Sequence, residues 1–151
     1  FKLIDQYFSK EINNVVKQGI KLNILGELNK LPQNVRKTLK NCTELTKKNK
    51  KITVNLAINY GSKKEILYAF KKIKKRLTLK NFEKNLYTKN MPNPEILVRT
   101  GGHQRLSNFM LWQLAYAELF FINKLWPDFN SKDYFNIIQK YQKIRRNFGS
   151  L

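Results

Sequence analysis

The chain has 151 residues, 30 Lys+Arg against 10 Asp+Glu, and a formal net charge of +20. Its 42% hydrophobic and 13% aromatic content supplies one core and excludes the disordered class, while apolar stretches such as Leu114 to Ile122, broken by Glu118, fall short of the ~20 residues of a bilayer-spanning helix. One cysteine, Cys42, and one histidine, His103, exclude an internal disulfide and a Cys/His zinc cage. From Ile4, the residues Tyr7, Phe8, Ile12, Val15 and Val16 recur at helical spacing, with Gly19 as the stop. Lys21 to Leu25 reads as a strand ending at Gly26, and Pro32 suits the first turn of a helix carrying Val35, Leu39, Cys42 and Leu45, which makes Cys42 a core residue. Ile52, Val54, Leu56 and Ile58 alternate with polar or small residues, the period of a strand. After Tyr60-Gly61, Ser62 and Glu65 have the spacing of a capping box ahead of the stripe Ile66, Leu67, Phe70, Ile73.

A weaker amphipathic piece from Leu79 to Leu86 precedes the turn Met91-Pro92-Asn93-Pro94 and an apolar strand from Glu95 to Arg99. Leu106 to Ala117 is apolar on several faces and is expected as a buried helix, followed by a short strand at Leu119 to Ile122. Asn130 and Asp133 mark the start of a last helix with the stripe Tyr134, Ile137, Ile138, Tyr141, Ile144. Strands alternating with helices predict an α/β fold, a mostly parallel sheet flanked by helices, with no internal repeat or linker.

Residues 1–90 hold 22 Lys/Arg and 6 Asp/Glu, whereas residues 91–151 hold 8 and 4, so the excess charge lies upstream, in tracts such as Lys47-Lys48-Asn49-Lys50-Lys51 and Lys71-Lys72-Ile73-Lys74-Lys75. Such tracts are either a footprint for a phosphate backbone or an anionic membrane, or simply solvated helix faces. The chemistry-bearing residues sit instead in the less basic part, from Arg99 to Asn108. A strand running into Gly101-Gly102 and then a helix start is expected to turn backbone N–H groups toward an anion. Arg99 and Arg105 add planar guanidinium forks and Ser107 a hydroxyl, which together suit a diphosphate. The Walker lysine motif and the dinucleotide glycine spacing are absent. Glu118, set among apolar residues, requires a cation: Mg²⁺ on one reading, a buried Arg or Lys on the other. Trp112 and Trp126 read as packing residues, and His103 as solvent-facing.

The segment Pro94-Glu95-Ile96-Leu97-Val98-Arg99-Thr100-Gly101-Gly102, then Arg105-Leu106-Ser107-Asn108-Phe109-Met110-Leu111-Trp112-Gln113-Leu114-Ala115-Tyr116-Ala117-Glu118-Leu119, then Leu125-Trp126-Pro127-Asp128-Phe129, resembles the cis-prenyltransferases of the bacterial undecaprenyl diphosphate synthase type. Weaker similarity runs upstream through Asn55-Leu56-Ala57-Ile58-Asn59-Tyr60-Gly61 to the first helix. The resemblance implies that residues 1–151 are the carboxyl-terminal portion of a single domain that condenses isopentenyl diphosphate onto an allylic prenyl diphosphate. It implies Arg99, Arg105 and Ser107 as the isopentenyl diphosphate site, Gly101 and Gly102 as loop support, and Glu118 as a Mg²⁺ position. It further implies a homodimer and peripheral membrane association through the product, with no nucleic acid partner. Tyr7, Phe8 and the apolar face of the first helix either line the product tunnel or fill the core.

The family's Asp-Gly-Asn-Gly-Arg-Trp segment, which carries the catalytic Asp, has no counterpart in these 151 residues, so no catalytic residue is assigned and the polypeptide is expected to be inactive alone. His103 stands where the family is usually acidic, and the family's Arg-Arg-Phe-Gly-Gly tail appears as Arg146-Asn147-Phe148-Gly149-Ser150, with Asn147 removing a charge and Gly149 left as a backbone contact. Alternatives are a non-catalytic prenyltransferase-like subunit or remnant and a basic nucleic-acid-binding module. The expected location is the cytoplasm, or an organelle after removal of a transit peptide.

Overall fold

The computed structural model describes residues 2–74 and 76–146, so Asn147 and Gly149 of the tail lie outside the described residues. The backbone gathers into two compact units, Phe1–Lys89 and Asn90–Leu151. Each is built on a pair of parallel strands with helices beside it, the α/β architecture expected from the alternating periods.

In the first unit α1 (Lys2–Lys17) leads into β1 (Ile20–Leu25), α2 (Gln33–Thr46), β2 (Ile52–Ala57), α3 (Ser62–Lys72) and the short α4 (Leu79–Glu83). β1 and β2 pair in parallel from Ile20↔Ile52 to Leu25↔Ala57, with α2 as the crossover. Ile12, Leu22 and Cys42 form one buried cluster and Leu31, Val35 and Leu39 another, so the apolar stripes of α1 and α2 close over the strands. Burial holds the Cys42 thiol pKa above its ordinary value. The fully buried Thr46 accepts the Leu22 N–H at 3.1 Å and donates to the Cys42 carbonyl at 2.8 Å, tying α2 to the free edge of β1. Gly26 has φ +127°, and a Cβ there would stand 2.1 Å from the Ile58 carbonyl oxygen, so the β1 exit admits only glycine.

Two local expectations change. Pro32 is the N-cap of α2, one position before the first turn. No capping box forms at α3, where Gly61 is the N-cap without a side-chain cap bond. Glu65 is instead fully buried and accepts from the Tyr60 hydroxyl and, at 2.8 Å, from the Tyr87 N–H. The Glu65 carboxylate is thus committed to donors from Tyr60 and Tyr87, which satisfy a buried charge that would otherwise be costly.

The second unit pairs β3 (Ile96–Arg99) with β4 (Glu118–Phe121) in parallel, Ile96 opposite Glu118 and Arg99 opposite Phe121. A 3₁₀ turn at Trp126–Asp128 leads to α5 (Ser131–Gln142), whose N-terminus has the expected capping box between Asn130 and Asp133. Asp133 also pairs with Lys124, whose ammonium holds the carboxyl pKa below its ordinary value. Leu114 and Ile137 are buried.

The helix expected over Leu106–Ala117 is absent, and the segment is a series of turns. Ser107, Asn108 and Met110 have φ of +47°, +63° and +44°, which no right-handed helix allows. An apolar stretch without a single 3.6-residue stripe has no preferred face to bury, and side-chain hydrogen bonds fix this corner instead. Trp126, expected as packing, is 74% exposed and stacks on Phe129 at 6.1 Å. No helix among the described residues is long and apolar enough to cross a membrane.

Candidate functional site

Strand β3 is apolar up to Arg99, and the chain then turns through Gly101 and Gly102 at φ +88° and +74°. These angles favour glycine without any steric demand, since a Cβ on Gly101 would meet nothing within 4 Å. The Gly101 N–H donates to the Lys124 carbonyl at 2.8 Å and the Gly102 N–H to the Ile122 carbonyl at 3.0 Å. The expectation of free amides facing an anion is therefore corrected: both are used to clip the loop onto the segment leaving β4. Gly101 and Gly102 support the loop, and anion recognition at this end falls to side chains.

Arg99 organises that loop. Its Nη1 donates to the Arg105 carbonyl and, at 3.0 Å, to the Ser107 hydroxyl, which holds the left-handed corner at Ser107 against the end of β3. Arg99, Ser107 and the backbone of Arg105 are thus brought together as expected. The Arg105 side chain is exposed and makes no hydrogen bond or ion pair among the described residues. No carboxylate among the described residues pairs with either arginine. With five donors per guanidinium and only one nitrogen of Arg99 engaged, the loop offers two cationic forks and a hydroxyl to an anion with several oxygens, such as a diphosphate. His103 is exposed on the same loop.

Glu118 is placed elsewhere. It opens β4 opposite Ile96, three residues from the partner of Arg99, or about 10 Å along the strands, and the period-two alternation sends the two side chains to opposite faces. Of the two cations left open for it, the chain supplies an arginine: Arg146 Nε lies 3.9 Å from Glu118 Oε1. Arg146 also reaches Glu95 Oε2 at 3.3 Å, the Tyr141 hydroxyl at 2.7 Å and the Tyr116 carbonyl at 2.9 Å. Tyr141 in turn donates to Glu95, which raises its pKa above that of an ordinary phenol. Sequence reasoning did not foresee this Arg146–Tyr141–Glu95 cluster; its one signal was that Glu118 needed a cation. Among the described residues no group of three or more His, Cys, Asp or Glu could hold a metal ion. One loosely paired carboxylate, on the face away from the arginine loop, does not fit a Mg²⁺ shared with a diphosphate held by that loop in the same chain.

In the first unit an apolar cavity of about 240 Å³ lies between α1 and the strand pair, lined by Phe8, Ile12, Val15, Leu22, Val54 and Leu56. It borders the cluster that the α1 stripe predicted.

Known proteins point the same way as the arginine loop. A family model described as "Putative undecaprenyl diphosphate synthase" matches residues 1–149. The isoprenyl transferase of Rickettsia bellii is 44% identical over 152 residues, covering 98% of this chain and 67% of that protein. A crystal structure of a probable undecaprenyl diphosphate synthase from Campylobacter jejuni superposes with a TM-score of 0.91 at 33% identity, over 99% of this chain and 73% of that one. Lavandulyl diphosphate synthase from Lavandula x intermedia, solved with dimethylallyl diphosphate, gives 0.93 at 30% identity, over 99% and 69%. The chain spans about two thirds of the length of the curated relatives it matches. On the match across nearly all of its residues, the chain belongs to the cis-prenyltransferase family of undecaprenyl diphosphate synthases.

Proposed function

We propose that this chain is the carboxyl-terminal portion of a single-domain cis-prenyltransferase that condenses isopentenyl diphosphate onto an allylic prenyl diphosphate, and that Arg99, Arg105 and Ser107 hold the isopentenyl diphosphate. The observation that carries the reading is that, among the described residues, neither arginine has a carboxylate partner, while Arg99 bonds both the Ser107 hydroxyl and the Arg105 carbonyl where β3 ends. In this reading Arg99 fixes the loop and lends its remaining donors, Arg105 closes on the anion as a fork, and Ser107 donates its hydroxyl. Held there, the isopentenyl double bond is oriented to form a carbon–carbon bond with the allylic carbon as that carbon's diphosphate departs, and loss of a proton from the isopentenyl C2 to a diphosphate oxygen or to solvent then forms the new cis double bond. The cavity beside α1 takes up part of the hydrocarbon chain.

Because Glu118 lies on the face away from the arginine loop and is paired with Arg146, this reading assigns it no part in holding a diphosphate-bound Mg²⁺ and routes no step through the ion. The reaction runs in the cytoplasm, in a homodimer that meets the membrane through its lipid product. The 151-residue polypeptide, lacking the Asp-Gly-Asn-Gly-Arg-Trp segment, binds isopentenyl diphosphate but does not turn it over. Calorimetry with isopentenyl diphosphate tests this: saturable binding that falls tenfold or more in Arg105→Ala is expected, and equal affinity in that variant refutes the assignment. Turnover by the unaltered polypeptide refutes the inactivity.

A further inference from the structure

The two edges of the β1–β2 pair are finished differently. In a parallel ladder alternate residues turn both of their backbone groups to the same side. On β1 the outward groups are met by side chains: the Leu22 N–H donates to Thr46 Oγ1 at 3.1 Å, and the Ile20 carbonyl accepts from Asn49 Nδ2 at 2.8 Å. On the other strand the Ile58 N–H, one residue past β2, donates to the Leu25 carbonyl at 2.9 Å. Val54 and Leu56 therefore bond β1 in the same phase, and Thr53, Asn55 and Ala57 turn their backbone groups outward. These three residues are exposed, and among the described residues neither a second strand nor a side chain takes up those groups. The edge also lacks the usual guards, since Ile52–Ala57 contains no proline and no charged side chain and its register runs without a bulge.

An open edge of this kind accepts an extended strand through backbone bonding, and the faces of the pair set what that strand carries. Val54 and Leu56 pack against the cluster under α1, whereas Thr53 and Asn55 lie on the polar face, where Asn55 pairs with Asn23 at 2.9 Å. A strand beside β2 places its alternate residues on these same two faces. A second copy meets this edge only antiparallel, because a two-fold axis reverses the strand, and that breaks the parallel order that both strand pairs of the chain keep. The match to the Rickettsia bellii protein takes in 98% of this chain and 67% of that one, so about a third of the relative is polypeptide available to extend a sheet that has only two strands here. We propose that the open edge of β2 is completed by a parallel strand from the part of the family's polypeptide that these 151 residues do not span, apolar beside Val54 and Leu56 and small or polar beside Thr53, Asn55 and Ala57, and that the edge takes up this strand even when it arrives as a separate chain. This rests on membership of the family and not on the isopentenyl diphosphate assignment.

Co-expression of the tagged 151-residue chain with the unmatched third of the Rickettsia bellii isoprenyl transferase, as two separate polypeptides, is the test, read by co-purification and by amide hydrogen exchange. An equimolar complex is expected in which the amides of Thr53, Asn55 and Ala57 exchange about tenfold or more slowly than in the chain alone. Asn55→Pro removes an outward N–H while leaving the bonds to β1 in place, as proline does on an edge strand, and is expected to weaken the complex about tenfold or more. Asn55→Ala keeps that N–H and is expected to change affinity less than about twofold. Circular dichroism checks the fold of both variants. The proposal is overturned if the two polypeptides do not co-purify, if the edge amides exchange as fast in the complex as alone, or if Asn55→Pro binds as tightly as the parent. A homodimer of the chain alone that Asn55→Pro dissociates overturns it as well, giving the edge to a second copy. Turnover is not read, so the outcome is separate from that of the isopentenyl diphosphate assignment.

Discussion

Ser107 separates the strain of the arginine loop from its function. It holds φ +47° while accepting a 3.0 Å hydrogen bond from Arg99. A non-glycine residue in the left-handed region costs about 1–2 kcal/mol, which Ser107→Gly relieves. The same change removes the exposed bond from Arg99, worth about 0.5–1.5 kcal/mol, so the folded state is expected to shift by less than about 1 kcal/mol. Binding behaves differently. A hydroxyl donating to a charged phosphate oxygen contributes about 1.5–3 kcal/mol, so losing it should weaken isopentenyl diphosphate by roughly 10- to 150-fold. Urea denaturation and calorimetry on one preparation read the two quantities. Affinity within twofold of the parent, at unchanged stability, would show that the hydroxyl does not touch the anion and that its part is confined to bonding Arg99.

Three further outcomes follow from the described contacts. Gly26→Ala places a methyl against the Ile58 carbonyl at a φ of +127° and is expected to cost about 2–3 kcal/mol, read as a lowered urea midpoint. Thr46→Val leaves the buried Leu22 N–H without its acceptor and should cost about 1–3 kcal/mol, while Thr46→Ser keeps the hydroxyl, loses a methyl and should cost about 0.8 kcal/mol; equal losses would show that the hydroxyl is dispensable. The Asp133 pKa is lowered in the fold, chiefly by Lys124, so its contribution to stability is present above the ordinary aspartate value of about 3.9 and is lost as pH falls through the lower folded value. Asp133→Asn should therefore melt below the parent at neutral pH, with the gap closing below about pH 4; a gap independent of pH would rule out the ion pair as its cause.

The elements legible in the sequence are those whose period belongs to one buried face. Ile12 and Val35 sit at helical spacing and the Asn130–Asp133 pair at capping spacing, and both survive into the fold because burial and local hydrogen bonding agree there. Where they conflict, burial and tertiary bonding win. Ser62 and Glu65 have the letters of a capping box, but Glu65 is drawn inward by Tyr60 and Tyr87, partners 5 and 22 residues away. The turns over Leu106–Ala117 fail as a helix for the opposite reason: the stretch is apolar on several faces, with no single stripe to bury, and a bond at its start comes from Arg99, outside the segment.

The candidate site divides in the same way. Arg99, Arg105 and Ser107 lie within nine residues, and one strand end with a tight turn is enough to bring them together, so their shared chemistry could be read from the string of letters. Glu118 could not be assigned to that site by such reasoning, because 18 residues of turns and loop separate it from Arg99 and only the β3–β4 register shows that it opens the opposite end of the strand pair. Glu118 is only half-buried in the fold, so desolvation sets a weaker demand for a cation than its apolar neighbours in the sequence suggest, and it does not name the cation's source. In this chain Arg146 supplies it from beyond α5, together with Glu95 and Tyr141. A metal at Glu118 has to compete with a guanidinium already held by three other partners. Arg146→Gln therefore removes more than one ion pair: it leaves two carboxylates, on Glu95 and Glu118, close to one another without their shared cation.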